Sequence, residues 1–293
     1  WLGAADATRL RQLVRLAALC HDLGHPPLSH TSEILLPPGH TLHIPHVPRL
    51  SDGDEGSHEH FTLLLLLASQ LAEIIDAAGA TLGIRAQHVA ALLHEDVQCP
   101  ADVFQVGDHD LLPLLAALCS SELDVDRMDY LLRDSYYTGV SYGKYDCDWL
   151  LSHLCHFEAE DGAVHLGLDE RAIFTFDDFL LSRHHMFLMV YLHRKTVCFD
   201  HMLWQFYREF PQAVPVPADP ELYTELDDGT VWRALRQHRH VSAWADAILA
   251  RRPLALAAES TTAVREPIPQ LVERLQEAGM VYLHVTSKGA LSK

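Results

Sequence analysis

The strongest constraint on this chain is an apolar helical stripe that ends on a cluster of polar, titratable side chains. Leu10, Leu13, Val14, Ala17 and His21 recur at i, i+3, i+4 spacing, which predicts a buried helix over residues 9–23. Gly24, Pro26 and Pro27 stop it. His21 and Asp22 therefore sit in its last turn, with His25 and His30 just beyond. Carboxylates and imidazoles at the end of an apolar helix are costly to bury unless they are paired or bind a metal. Mixed imidazole and carboxylate donors suit a divalent cation such as Mn, Mg, Fe, Ni or Zn. The alternative is a set of capping or surface histidines. The His-Asp dipeptide does not decide between them, because a chain with 21 histidines also carries His109-Asp110.

Composition bounds the rest. The 293 residues are 48% hydrophobic and 21% charged, enough for a sizeable core and incompatible with global disorder. The net charge of −18 argues against non-specific nucleic-acid binding, though a local basic pocket for a small anion remains open. The six cysteines form no CxxC pair, which gives no support to a zinc knuckle or redox dithiol. Scattered single cysteines suit a reducing compartment, and the apolar run Leu63 to Ala68 is far too short for a membrane span. The expectation is a cytoplasmic protein with no membrane partner. Trp1-Leu2-Gly3 and Leu291-Ser292-Lys293 are abrupt ends, and a longer parent protein is expected.

Helical patterns follow at 59–78, 85–95, 109–120, 121–137 and 146–155, with a proline- and glycine-rich loop at 37–57. The alternation from Phe157 to Leu168 around Asp161-Gly162 predicts a hairpin. A long helix is expected from about 176 to 210, broken by prolines in 211–220. Helices at 229–238, 242–251 and 267–279 and a strand at 280–286 complete the pattern. The fold class is mainly α, a helical domain over 1–212 with a hairpin insertion at about 156–170, then a small mixed C-terminal lobe over 213–293.

The segment from Ser121 to Asp134 carries the second candidate group. On a helix, Val125, Met128, Leu131 and Leu132 make an apolar face. Asp126, Tyr130, Arg133 and Asp134 fall on another, at i, i+4, i+7, i+8. A solvated face with i,i+4 charge pairs is the alternative, and Tyr130 in the stripe stands against it.

Two motifs now carry a resemblance. Leu19-Cys20-His21-Asp22-Leu23-Gly24-His25-Pro26-Pro27-Leu28-Ser29-His30 resembles the signature of HD-superfamily metal-dependent phosphohydrolases. The stretch from Asp124 through Asp134 to Val140 resembles their later motif, in the branch of deoxynucleoside triphosphate triphosphohydrolases. His58-Glu59 looks like that branch's intermediate motif, and Tyr191-Leu192-His193-Arg194-Lys195 like its phosphate-contacting segment. The likeness runs over about residues 10–210.

The resemblance implies an HD-domain helical bundle and an assignment of roles. His21, Asp22 and Asp126 would be metal ligands. His25, His30, His58 and Glu33 would be catalytic, with the histidines contacting phosphate and assisting proton transfer. Arg127, Arg194 and Lys195 would meet the phosphates, and Tyr130 and Asp134 would read the sugar. The implied reaction is release of deoxynucleoside and inorganic triphosphate from a deoxynucleoside triphosphate. Another phosphohydrolase activity, on a monophosphate or phosphodiester, and a non-catalytic nucleotide sensor are the alternatives. Relatives of this kind imply a homo-oligomer, dimer or tetramer, and an allosteric nucleotide. The family also uses a further His ligand on a preceding helix, and none of the 20 residues before His21 is His. An upstream Arg and Gln of the nucleotide site are missing as well. Either a chain that continues upstream supplies them, which is the expectation, or this copy has lost a ligand, which would lead to the sensor reading.

Overall fold

The structure is a computed structural model and describes residues 2–51, 53–258, 268–280 and 282–284. It is mainly helical, with two small two-stranded antiparallel sheets, as the sequence leads one to expect. Helix α1 (Ala4–Cys20) buries the predicted stripe, with Leu10, Leu13, Ala17 and Cys20 inside. It packs beside α4 (Ala86–Leu93) and α5 (Leu112–Cys119).

The expected helix over 59–78 is two helices, α2 (His58–Ala68) and α3 (Gln70–Gly79). Ser69 divides them: its backbone is extended, and its side chain accepts the Leu71 N–H as the cap of α3. The two meet at a bend of 61°. No single described helix is long and apolar enough to cross a membrane. Leu63 to Leu66 of α2 lie in the first hydrophobic core instead, with Leu13, Ile84, Val89 and Phe104.

Residues 109–110, expected as the start of a helix, pair instead as strand β2 (His109–Asp110) with β1 (Gln105–Val106). Helix α6 (Val125–Thr138) is capped by the Asp124 carboxylate, and Gly139 ends it at φ 72°. A short α7 (Cys147–Ser152) leads into the hairpin of β3 (Leu154–Glu158) and β4 (Val164–Leu168). Gly162 turns it at φ 84°, where the Asp-Gly pair placed it.

The expected helix over 176–210 is also divided. Helix α8 (Ile173–Met186) passes into a π-helical turn, Phe187–Tyr191, and α9 (Arg194–Glu209) begins anew after His193. No Gly or Pro marks the break in sequence. The His193 ring caps α9 by accepting the Lys195 N–H. Helices α10 (Pro220–Tyr223), α11 (Asp228–His238), α12 (Ala243–Leu249) and α13 (Ile268–Glu277) follow. Residues 281 and 285–286 of the expected strand lie outside the described residues, and 280 and 282–284 are not in a strand.

Two further cores complete the packing. One joins Met202, Leu203, Phe206 and Tyr207 of α9 to Val231, Leu235, Ala245 and Ile248, across the boundary at 212–213 drawn from sequence. The other lies between α6 and α8, with Met128, Leu131, Phe179 and Met186. Phe179 is fully buried, and the Tyr145 ring meets it edge-on at 5.0 Å. Phe179→Ala is expected to cost about 3–5 kcal/mol, read as a lower denaturation midpoint.

Candidate active site

Helix α1 ends at Cys20, and the chain turns through His21 to Gly24 against the side of α2. The Thr62 hydroxyl ties that turn down. It donates to the His21 carbonyl and accepts the Gly24 N–H, each at 2.9 Å. Gly24 packs so closely that a Cβ there would lie 2.1 Å from the His58 carbonyl oxygen. This approach brings His58, the first residue of α2, beside His25 although 33 residues separate them.

Two groups of side chains result. The first is His21, Asp22 and Asp126. His21 Nε2 lies 3.3 Å from Asp22 Oδ2 and 3.4 Å from Asp126 Oδ1. That nitrogen is buried and meets hydrogen-bond geometry with neither carboxylate. The contacts with Asp126 and then Asp22 push the imidazolium pKa up to about 10, against the opposing effect of burial. His21, and then His25, hold the Asp22 carboxyl well below the usual carboxylate range. An orphaned buried nitrogen facing two carboxylate oxygens is a donor set that fits a divalent cation. The three residues expected as metal ligands therefore converge in space.

 

The second group is His25, His30, Glu33 and His58. Glu33 Oε1 accepts from His30 Nδ1 at 2.9 Å and from His58 Nδ1 at 2.5 Å. Burial works to raise the Glu33 pKa, but the two imidazole contacts outweigh it and the net shift is downward. The His25 ring stacks on His58 at 4.1 Å with the planes 8° apart, and His30 meets both edge-on. His25 Nε2 is also 3.5 Å from Asp22 Oδ1, so Asp22 stands between the two groups. One continuous polar wall results, made from the end of α1, the turn after it, and the first turns of α2 and α6.

Helix α6 carries Asp126, Tyr130 and Asp134 on one face, as the spacing predicts, while Arg133, placed there by spacing, and Arg127, given a phosphate role by the resemblance, turn elsewhere. Asp126 reaches His21, and Asp134 accepts the Tyr191 hydroxyl at 2.6 Å. Tyr130 stands edge-on to the Tyr191 ring at 6.2 Å, and burial raises its pKa. Arg133, placed on this face from its spacing, is exposed and pairs with Asp129 at 2.8 Å one turn earlier. Arg127 does not reach either group. Its guanidinium turns back onto the buried Asp124 carboxylate and the Ser121 carbonyl. Arg194 and Lys195 open α9 with exposed side chains that, among the described residues, make no ion pair or side-chain hydrogen bond.

Three residues have places here that the sequence did not indicate: Thr62, Arg183, and Tyr191, expected only as part of a phosphate-contacting segment. Thr62 anchors the turn, and its only signal is a polar residue inside an apolar helical run. Tyr191 binds Asp134, and burial followed by that carboxylate pushes its pKa well above the usual phenol range. Arg183 on α8 lies beside Tyr130, donates to Glu122 at 2.7 Å and rests over the Phe187 ring. Nothing in its spacing marks Arg183, because only the fold of α8 against α6 brings it there. Other histidines have partners elsewhere: His94 is near Asp96, His109 near Glu158, and His185 near the Tyr142 ring.

No family model matches the chain. Among curated proteins it is 30% identical to the uncharacterized protein YwfO of Bacillus subtilis over 187 residues, 64% of this chain and 34% of that one. It is 26% identical over 235 residues to the deoxynucleoside triphosphate triphosphohydrolase SAMHD1 homolog of Dictyostelium discoideum, covering 77% of this chain and 39% of that one. A putative HD domain-containing protein of Acanthamoeba polyphaga mimivirus matches at 22% over 198 residues, 67% of this chain and 36% of that one. The chain thus spans well under half the length of these relatives. A solved phosphohydrolase from Bacteroides thetaiotaomicron shares the fold, with a TM-score of 0.60 and 22% identity over 96% of this chain and 66% of that one. Together with the motifs and the wall they build, these likenesses support the HD phosphohydrolase superfamily for this chain.

Proposed function

We propose that the chain hydrolyses deoxynucleoside triphosphates to deoxynucleoside and inorganic triphosphate. The observation that carries this reading is the continuity of the two side-chain groups through Asp22, with the Tyr191–Asp134 pair on the same helix as Asp126. The similarity to a relative named as a deoxynucleoside triphosphate triphosphohydrolase supports the substrate class.

His21, Asp22 and Asp126 would hold a divalent ion. When bound, such an ion polarises a phosphoryl oxygen and makes a bound water more acidic. The chain's own residues do the rest. His25, His30 and His58 face the phosphate, and Glu33 orients the His30 and His58 rings by accepting from both. Water attacks the α-phosphorus, the bond from phosphorus to the 5′-oxygen breaks, and an imidazolium of this group gives that oxygen its proton. Tyr130 and Asp134 take the sugar, with Tyr191 holding the Asp134 carboxylate. Arg194 and Lys195, exposed and without ion-pair partners among the described residues, supply positive charge to the polyphosphate. Arg127 joins them only by exchanging its contact with Asp124. A homo-oligomer and an allosteric nucleotide belong to the same reading, as do a catalytic unit over 1–212 and a lobe over 213–293.

The test is product identity. The complete protein is incubated with each deoxynucleoside triphosphate and with Mn or Mg, and products are resolved by chromatography. Nucleoside and triphosphate are expected. Orthophosphate or a shortened nucleotide would transfer the site to another phosphate ester, and no cleavage of any substrate would overturn the reading.

A further inference from the structure

The turn that carries His30 and Glu33 is poorly held by its own structure. It enters through two consecutive non-glycine residues in the left-handed region, Leu28 at φ 61° and Ser29 at φ 55°. Such residues persist only where the surroundings over-determine them. It continues as a seven-residue 3-10 helix, Ser29–Leu35, with no side-chain cap at its start. Helices of this type have weaker hydrogen-bond geometry, and runs beyond three or four residues are uncommon.

What holds this turn comes from much later in the chain. The Leu28 N–H donates to Asp228 at 2.9 Å, at the start of α11. The Thr31 hydroxyl donates to Asp200 at 3.0 Å, and the Thr31 carbonyl accepts from the Trp204 indole at 2.7 Å. Ser32, fully buried, shares a hydrogen bond of 2.8 Å with the hydroxyl of Tyr207, which is 2% exposed. Leu28 and Leu35 pack on the core formed by α9, α11 and α12. The bonds at Thr31 and Ser32 flank His30 and Glu33 directly.

We infer that Tyr207 is a positioning residue: its hydroxyl, through Ser32, sets the placement of the neighbouring Glu33 and hence of the His30 and His58 rings. The inference rests on the reading of these side chains as the proton-transfer part of a phosphohydrolase site. Tyr207 touches none of them. It acts through the backbone of the turn, so its loss lowers turnover while substrate binding and metal loading persist. Ser32 is the last link, because its side chain is the one Tyr207 holds and its peptide leads into Glu33.

Tyr207→Phe removes one hydroxyl and keeps the ring in the core. The complete protein, labelled with nitrogen-15 at histidine, is compared with Tyr207→Phe and with Ser32→Ala/Tyr207→Phe. Kinetics, bound metal, Tm and histidine ring spectra are measured on each, the rings being assigned with His30→Gln and His58→Gln. Expected for Tyr207→Phe are shifted His30 and His58 ring signals, unchanged metal content and KM, and kcat lower by about ten- to a hundredfold. The double variant leaves no orphaned buried hydroxyl, so its Tm recovers while kcat stays low. Unshifted ring signals, or a kcat that recovers with Tm, would overturn the inference. If the wild-type protein cleaves no deoxynucleotide, the proposed function fails by itself, and the ring signals still decide whether Tyr207 positions the two histidines.

Discussion

Asp126→Ala is expected to abolish triphosphate release, lowering it by about a hundredfold or more, and to strip bound metal from the protein. Losing a group that merely orients a metal ligand already costs about ten- to a hundredfold, and Asp126 is placed as a ligand itself. Its carboxylate is one of two that face the buried, unpartnered Nε2 of His21. The helix beneath it should survive. Asp124, not Asp126, caps α6, and it keeps its bonds to the Arg127 and Ser121 amides. Asp126→Asn keeps the shape and removes the charge, so it separates a metal ligand from a packing residue. Metal content and product chromatography are read on both variants against the wild type. Retained metal and turnover in Asp126→Asn would remove Asp126 from the site.

Gly24→Ala is expected to be strongly damaging, although it adds only a methyl group. The added carbon would lie 2.1 Å from the His58 carbonyl oxygen and 2.2 Å from the Thr62 nitrogen, both backbone atoms of one helix. No rotamer change relieves contacts with backbone. Either the His21–Gly24 turn or the start of α2 must move, and that separates His25 from His58. Overpacking of this kind costs about 3 kcal/mol or more. For a chain of this size the corresponding fall in Tm is on the order of 6–12 °C. Thermal unfolding checks the magnitude, and loss of activity in the fraction still folded checks the separation of the histidines. A wild-type Tm would mean that Gly24 does not approach α2 as closely as its backbone contacts indicate.

Much of the local structure was legible because it is written at short range. The stripe from Leu10 to Ala17 needs only helical periodicity, and α1 buries it. Asp161-Gly162 needs only a turn that tolerates positive φ, and β3 and β4 meet across it. Asp126, Tyr130 and Asp134 share a face because four-residue spacing puts them there. The breaks were harder to read. Ser69 divides α2 from α3 with a cap that competes only weakly in a sequence of good helix formers. The π turn before α9 carries no Gly or Pro, and it leaves the Tyr191 hydroxyl on Asp134, a residue of another helix.

The sequence by itself determined the residue types of the site and their order: a His-Asp pair closing an apolar helix, histidines after it, and an acidic-aromatic face later on. Those follow from covalent order and helical geometry, which act over a few residues. The tertiary structure decided which of them meet. It set His58 against His25 through a glycine contact with α2, and it turned Arg127 onto Asp124 and Arg133 onto Asp129. It also brought Arg183 beside Tyr130, and α9 under the turn of His30 and Glu33. Pairings of this kind depend on how apolar faces pack when distant segments collapse together, and no local spacing encodes them.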